Sequence, residues 1–150
     1  MGPEQKLYQK LKKSIPEISW IRLENLSLLG TPDLLASNTS GSFFTVELKV
    51  TKANKVRFSP HQIAFHVKHP HNTFIIVDPL GPRSLKHVHM YRGSRILDLV
   101  EQGLKLDACS LGLDACRLML NQVGSKASWI SELGAWRLEL VAWRLHDVAS

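Results

Sequence analysis

The run from Phe43 to Val50 constrains the fold of this 150-residue chain more than any other stretch, because apolar residues occupy every second position from Phe44 onward. A period of two is typical of a β-strand that lays one face on a core. The face that carries Phe44, Val46, Leu48 and Val50 is apolar, and the opposite face carries Phe43, Thr45, Glu47 and Lys49. An acidic and a basic side chain therefore project next to each other near the end of the strand.

Shorter patterns around this strand predict the rest of a sheet. Ser59, Pro60 and Gln62 form a strong helix start, with a capping serine, a proline in the first turn and a glutamine that can complete a capping box. The predicted elements are a helix over 3–13, strands over 20–24, 33–36 and 43–50, a helix over 59–68, strands over 73–78 and 86–92, and a helix over 94–102. This order predicts the α/β class, with a mixed β-sheet flanked by helices.

The chain changes character from Leu104 onward. Two stretches, roughly 106–121 and 126–146, have helical patterns and are separated by Gly124-Ser125. The second carries an apolar band, with three tryptophans among its residues, that is too wide for a lone surface helix. We expect residues 104–150 to form a helical extension that packs on the core or forms a dimer interface.

Charge gives the first indication of a partner. The net charge is +6, and residues 1–100 hold 14 basic and 7 acidic groups while residues 101–150 hold 5 and 6. The positive charge of residues 1–100 favours a polyanionic partner, and nucleic acid is the first candidate. Ordinary solubility explains such a charge about as well. No apolar run is long enough for a membrane helix, and the first residues do not read as a secretory signal. Cys109 and Cys116 do not suggest a disulfide framework, so we expect a reducing cytoplasm.

Three side chains form a constellation with chemical meaning. Asp33 follows the Gly30-Thr31-Pro32 turn and can reach the sheet edge at which Glu47 and Lys49 project. Two converging carboxylates either raise a pKa or hold a divalent cation, and a neighbouring lysine suits anionic oxygen. Hard oxygen ligands favour Mg²⁺, or Mn²⁺ in its place, and a phosphate substrate. A zinc site built from the histidines at 69, 71, 87 and 89 lacks suitable spacing.

These residues also carry a resemblance to a known family. Gly30-Thr31-Pro32-Asp33, followed by Val46-Glu47-Leu48-Lys49, resembles the signature of the PD-(D/E)XK nuclease superfamily. The stretch from Phe58 to His66 is similar to the virus-type replication-repair nuclease (VRR-NUC) branch and to small phage endonucleases, close to the archaeal and phage Holliday-junction resolvases. The resemblance covers about residues 3–92. It implies a restriction-endonuclease-like α-β-β-β-α-β core, which we assign to residues 1–103.

The resemblance assigns roles residue by residue. Asp33 and Glu47 match the metal-binding carboxylates, and the main-chain carbonyl of Leu48 adds a ligand in relatives. Lys49 matches the lysine that orients the attacking water and offsets charge on the phosphate. Gln62 matches a polar residue that buttresses the site. His66, one helical turn further, could reach the same side and contact DNA, and a surface histidine is nearly as good a reading.

One acidic position stays open between two residues. Relatives contribute a glutamate from the first helix, where Glu4 stands, and Glu24 competes because the strand period puts it on one face with Trp20 and Arg22. We favour Glu4 narrowly. The loop that carries Lys52, Lys55 and Arg57 is expected to hold flanking phosphates, with a merely solvated loop as the alternative.

The function expected from this reading is a magnesium-dependent endonuclease that cuts branched or structured DNA such as Holliday junctions. Symmetrical junction cutting needs two active sites, so it implies a homodimer. A nicking or restriction-like nuclease on duplex DNA has the same chemistry. A non-catalytic DNA-binding module with the same fold, and an adaptor built on the C-terminal helices, are the alternatives from other classes. We expect a cytoplasmic location, in the host if the protein is viral.

Overall fold

The computed structural model describes residues 1–23, 29–80, 87–106 and 112–125. In chain order these contain α1 (Pro3–Ser14), β1 (Ser19–Arg22), β2 (Leu34–Ser37), β3 (Phe43–Thr51), α2 (Pro60–Lys68), β4 (Thr73–Pro79), β5 (His89–Arg92), α3 (Ile96–Gln102) and α4 (Leu113–Gln122). Two 3₁₀ turns, Gly93–Arg95 and Gly103–Lys105, flank α3.

The five strands form one sheet in the order in which they occur along the chain. β1 pairs antiparallel with β2, and β2 pairs antiparallel with β3. β3 and β4 are parallel, with α2 as the crossover between them, and β5 returns antiparallel to β4. The predicted α/β class is therefore confirmed: a mixed sheet carries helices, and α1, three strands, α2 and β4 follow in the α-β-β-β-α-β order.

The sheet separates two apolar cores. On one side the apolar face of β3 packs with Leu7 and Leu11 of α1 and with Cys116 and Leu120 of α4. The other side is covered by α2, α3 and the segment that leads to α2, and its buried residues are Val56, Ile75, Val77, Tyr91, Ile96, Leu99 and Leu106. β3 is thus covered on both faces, which its alternating sequence does not predict.

Local sequence explains why α2 begins where it does. Ser59 caps the helix: its Oγ accepts from the Gln62 N–H at 3.2 Å, and the Gln62 Oε1 accepts from the Ser59 N–H at 2.9 Å. Pro60 occupies the first helical position, where its missing N–H costs nothing. The helix ends at Lys68, as the sequence predicts.

Several predicted boundaries shift. The helix expected over 94–102 begins at Ile96, because residues 93–95 form a tighter 3₁₀ turn. The helical stretch expected over 106–121 contains α4 from Leu113, after Gly112 at φ +90°. The strand expected from Lys86 is described from His89. Residues 87–88 belong to no strand, whereas residue 86, residues 107–111 with Cys109, Glu24 and the helix expected over 126–146 lie outside the described residues. Over the described part of the chain, no helix has the length and apolar character needed to cross a membrane.

A buried asparagine joins the β2–β3 turn to α4. Asn38 Nδ2 donates to the main-chain oxygens of Leu120 at 3.0 Å and Val123 at 2.8 Å. Its Oδ1 accepts from the N–H groups of Ser40 and Ser42, both at 3.1 Å. Because the end of α4 and the turn share this side chain, α4 is fixed on the face of the sheet that α1 also covers.

Candidate metal centre

A tight turn positions the first acidic residue. Gly30 has φ +80°, a conformation that favours glycine, and a Cβ at this position would lie 2.3 Å from the main-chain oxygen of His61. The turn therefore packs directly against the first residues of α2. Past the turn, the Asp33 main-chain oxygen accepts from the Leu23 N–H at 2.8 Å, which anchors the residue beside β1.

The Asp33 side chain bonds to β3 just beyond the point at which the pairing of β2 with β3 stops. β2 pairs with β3 as far as Leu34 opposite Val46. Beyond that pair, Asp33 Oδ2 accepts from the Leu48 main-chain N–H at 2.8 Å. Because the N–H and C=O of one strand residue point to the same side, the Leu48 carbonyl also projects toward Asp33. Asp33 and Glu47, which were expected to act together, lie close enough for their carboxyl groups to interact.

Glu47 is almost wholly removed from water. The residue is 1% exposed, and neither carboxylate oxygen accepts a hydrogen bond from an N–H or hydroxyl donor of a described residue. Burial, then a hydrogen bond shared with the Asp33 carboxyl group and the charge of Asp33, together raise the pKa of Glu47 to about 9, although the charge of Lys49 opposes the rise. An ionised carboxylate buried without donors is costly, so a proton neutralises it in the free protein and a bound cation could take the place of that proton.

Lys49 is held by the first turn of α2. Its Nζ donates to Gln62 Oε1 at 3.0 Å and lies 5.0 Å from the centre of the Phe58 ring. The same Gln62 oxygen accepts from the Ser59 N–H in the capping box. The glutamine expected to buttress the site thus connects the lysine to the start of a helix, and its own position is fixed by the cap.

Glu4 lies at the same site, from the first turn of α1. It borders a small cleft that is also lined by Gln5, Tyr8, Arg22, Asp33, Leu34 and Leu48. Partial burial raises the pKa of Glu4, the Asp33 carboxylate adds to the rise, and the charges of Lys49 and Arg22 oppose it. Its competitor for the third acidic position, Glu24, is not among the described residues.

His66 does not lie where a DNA-contacting residue would lie. The residue has 0% exposure, its Nδ1 lies 2.9 Å from the Gln62 main-chain oxygen, and its Nε2 has no hydrogen-bond partner among the described residues. Burial lowers the pKa of His66, and the charge of Lys49 lowers it further. The expectation of a direct DNA contact is corrected, because α2 turns this face of the helix toward the sheet, and the surface alternative is wrong for the same reason.

The basic loop runs from β3 to α2, beside Lys49. Lys52, Lys55 and Arg57 are all exposed, while Val56 between them is buried in the apolar core under α2 and α3. Thr51 Oγ1 donates to the Lys55 main-chain oxygen at 2.8 Å, which closes the loop on itself. The buried valine directs its neighbours outward.

A divalent cation fits this donor set. Two carboxylates, one of them with both oxygens buried and unpartnered, and one main-chain carbonyl supply the hard oxygen ligands that Mg²⁺ and Mn²⁺ prefer. No group of three or more His, Cys, Asp and Glu side chains suited to a metal ion occurs within the described ranges. A cation bound here would therefore need the main-chain carbonyl and water to complete its coordination, which suits Mg²⁺.

Arg22 is the charged residue of the cleft to which the sequence assigned no role. Its guanidinium donates to Gln5 Oε1 and lies 6.0 Å from the centre of the Tyr8 ring. The signal was present, because the strand period of β1 puts Trp20 and Arg22 on the face that meets α1. What the sequence does not give is the packing of α1 over that face, which brings Arg22 to the border of the site.

Comparison with known proteins gives a likeness among solved structures. No family model matches the sequence, and no curated protein is matched. Among solved structures, the chain is similar to Hjc, a Holliday junction resolvase from the archaeal hyperthermophile Archaeoglobus fulgidus, with 18% sequence identity and a TM-score of 0.43. The similarity covers 60% of this chain and 69% of that chain.

Proposed function

We propose that this protein is a metal-dependent endonuclease of the PD-(D/E)XK type that hydrolyses phosphodiester bonds in DNA. The observation that carries the proposal is the buried, donor-free carboxylate of Glu47 next to Asp33, with Lys49 held by Gln62 at the same sheet edge. A cation bound between the two carboxyl groups would stabilise their ionised forms, and a lysine beside them suits an anionic substrate. The basic body of the chain agrees with a polyanion.

Each residue of the candidate metal centre would have its own role in hydrolysis. Asp33, Glu47 and the Leu48 carbonyl would hold Mg²⁺, and Mn²⁺ would substitute for it. When bound, such an ion lowers the pKa of a water molecule and offsets charge on the phosphate. Lys49 supplies a fixed positive charge beside the attacked phosphate, and Gln62 limits the freedom of its ammonium group. Glu4 is the acidic residue nearest to completing the site.

Within this chemistry we propose branched or structured DNA, such as a Holliday junction, as the substrate. The motif resemblance supports this choice, and symmetrical cutting of a junction then requires a homodimer with two active sites. The exposed Lys52, Lys55 and Arg57 would grip phosphates beside the cleaved bond without reading sequence. The protein would act in the cytoplasm of its cell, or of the host if it is viral.

A cleavage panel tests the proposal. The purified protein is incubated with a four-way junction, a fork, a flap, a nicked duplex, an intact duplex and a single strand, each with Mg²⁺, Ca²⁺ or EDTA. We expect Mg²⁺-dependent cleavage, with the junction preferred. Asp33→Asn and Lys49→Met should each lower turnover by at least about a hundredfold while DNA binding in EDTA persists.

Other outcomes select the alternatives. Cleavage of plain duplex without junction preference would indicate a nicking or restriction-like enzyme. Binding without cleavage under every metal would indicate a non-catalytic module. Gel filtration with light scattering tests the dimer, and a monomer at the concentrations of the cleavage assay would count against symmetrical junction cutting.

A further inference from the structure

A ridge of lysines runs along the solvent side of α1, and no function has yet been attached to it. Lys6, Lys10 and Lys13 are spaced at i, i+4 and i+7, so they share one helix face. All three are exposed, whereas the opposite face of the helix is buried through Leu7 and Leu11. We call these three residues the α1 ridge.

The ridge is a concentration of charge that the fold itself does not neutralise. None of the three lysines forms an ion pair within 4 Å with a described residue. The only acidic residue of the helix, Glu4, belongs to the candidate metal centre. Like charges at these spacings destabilise a helix, so a ridge of this kind is unfavourable without a negative partner.

The fourth lysine of the helix is separated from the ridge. Lys12 Nζ lies 4.8 Å from the centre of the Tyr8 ring, on the side of the helix that borders the cleft. Lys10 also interacts with Asp78 near the end of β4. Burial raises the pKa of Asp78, and the charge of Lys10 opposes this rise. The ridge therefore lies on a different side of α1 from the cleft, and Lys10 brings it near the end of β4.

The ridge and the basic loop lie in different layers. α1 covers one face of the sheet, while the loop with Lys52 and Lys55 joins the core on the other face. The candidate metal centre lies on β3, the strand that both layers cover. A polyanion that passes through the centre can thus contact positive charge on both sides of the sheet.

We propose that the α1 ridge binds the sugar–phosphate backbone of a second stretch of duplex DNA, opposite to the stretch held by the basic loop. This rests on the proposed nuclease function and assigns its substrate a path across the edge of the sheet. The ridge spans about 10 Å along the helix, which matches about three phosphates at the spacing of one DNA strand. A membrane surface is the weaker partner, because the apolar face of α1 is already buried and leaves nothing to insert.

Binding without cleavage tests the ridge. A fluorescently labelled 20-base-pair duplex (roughly two helical turns) is titrated in EDTA at several salt concentrations with the wild type, with K10Q/K13Q and with K68Q/R95Q. The second pair removes the same formal charge from exposed positions in other elements, Lys68 at the end of α2 and Arg95 in the turn before α3, where Arg95 pairs with Asp98. Glutamine has nearly the helix propensity of lysine, so both variants should fold, which circular dichroism checks.

The expected results separate the ridge from the nuclease proposal. K10Q/K13Q should lower the slope of log affinity against log salt by about 2 and weaken binding about tenfold at 0.2 M salt, while K68Q/R95Q should match the wild type. Equal slopes in all three proteins, or no duplex binding by the wild type, would overturn the ridge even if cleavage is observed. A slope change without any DNA cleavage would support the ridge and count against the nuclease. The wild type could instead bind phosphatidylserine vesicles, and K10Q/K13Q could lose this binding while its duplex binding stays unchanged. That result would overturn the DNA proposal and indicate a membrane surface as the partner of the ridge.

Discussion

In the metal-free protein, Glu47 is both buried and without a hydrogen-bond donor, and this combination is unfavourable for an ionised carboxylate. Its carboxyl group is buried to 1% exposure, and no described residue donates a hydrogen bond to it. Burying an ionised carboxylate without a partner is unfavourable, so the metal-free protein holds Glu47 largely protonated at neutral pH. The residue that makes the site suitable for a cation therefore weakens the fold while the cation is absent.

The stability of the metal-free protein should fall as pH rises. The folded pKa of Glu47 is raised to about 9, against 4.5 for an ordinary glutamate, so its contribution is fully present below pH 4.5 and is lost as pH rises through about 9. We expect Glu47→Gln to remove this decline and to raise the melting temperature in EDTA at pH 8 by about 5–10 °C, or a few kcal/mol. Thermal melts from pH 6 to 9 measure the effect.

Glu101→Gln serves as the control, because Glu101 is an exposed carboxylate remote from the site. It should leave the pH dependence unchanged. A Glu47→Gln protein that melts at or below the wild-type temperature across this pH range would show that the buried carboxyl has partners and carries no such penalty.

At the scale of elements, one glutamine of α2 serves both the cap of the helix and the position of Lys49. Gln62 completes the capping box with Ser59 and also accepts from Lys49. Gln62→Ala and Ser59→Ala both remove the reciprocal cap, and each should cost about 1 kcal/mol of stability. Only Gln62→Ala frees Lys49, so we expect a loss of about 10- to 100-fold in DNA cleavage for that variant alone.

The comparison of the two variants gives a direct readout. Initial rates on the preferred DNA substrate, measured well below the melting temperatures, report the role of Gln62 beyond the cap. Equal losses of rate in Ser59→Ala and Gln62→Ala would mean that the cap, and not the bond to Lys49, is what the site requires.

The link between the β2–β3 turn and α4 is a second element-scale feature with a measurable cost. Asn38→Ala would leave the carbonyls of Leu120 and Val123 without the donor they now share, in a buried position. The expected loss is about 2–4 kcal/mol, or about 4–16 °C in melting temperature. Thr39→Ala, at the exposed tip of the same turn, should change little. A melting temperature for Asn38→Ala within about 1 °C of the wild type would contradict the linking role of Asn38.

At the scale of the whole molecule, the parts that sequence predicts well are those specified by short-range patterns. The alternation of β3 gives its apolar face, and the Ser59-Pro60-Gln62 start gives α2 from Pro60 to Lys68. The order of elements then gives the α/β class. The turn before Asp33 and the spacing to Glu47 also suffice to predict that the two carboxylates lie together.

The parts that sequence misses depend on how the layers pack. Nothing local indicates that α2 covers the Glu47 face of β3, so the burial of Glu47 and His66 is invisible to a pattern of period two. Arg22 enters the cleft because α1 lies over β1, which is a contact between distant segments. The exposure of charged loop residues is easier to predict from sequence, and Lys52 and Lys55 are exposed as expected.

The central claim is that Asp33 and Glu47 hold one divalent cation between them, and Mn²⁺ binding measures this most directly. Titration of the metal-free protein, followed by calorimetry and by the electron paramagnetic resonance of free Mn²⁺, gives the affinity without any DNA. We expect the wild type and Glu101→Gln to bind alike, and Asp33→Asn and Glu47→Gln each to bind at least about tenfold more weakly. Mn²⁺ affinities of Asp33→Asn and Glu47→Gln equal to that of the wild type would contradict the claim.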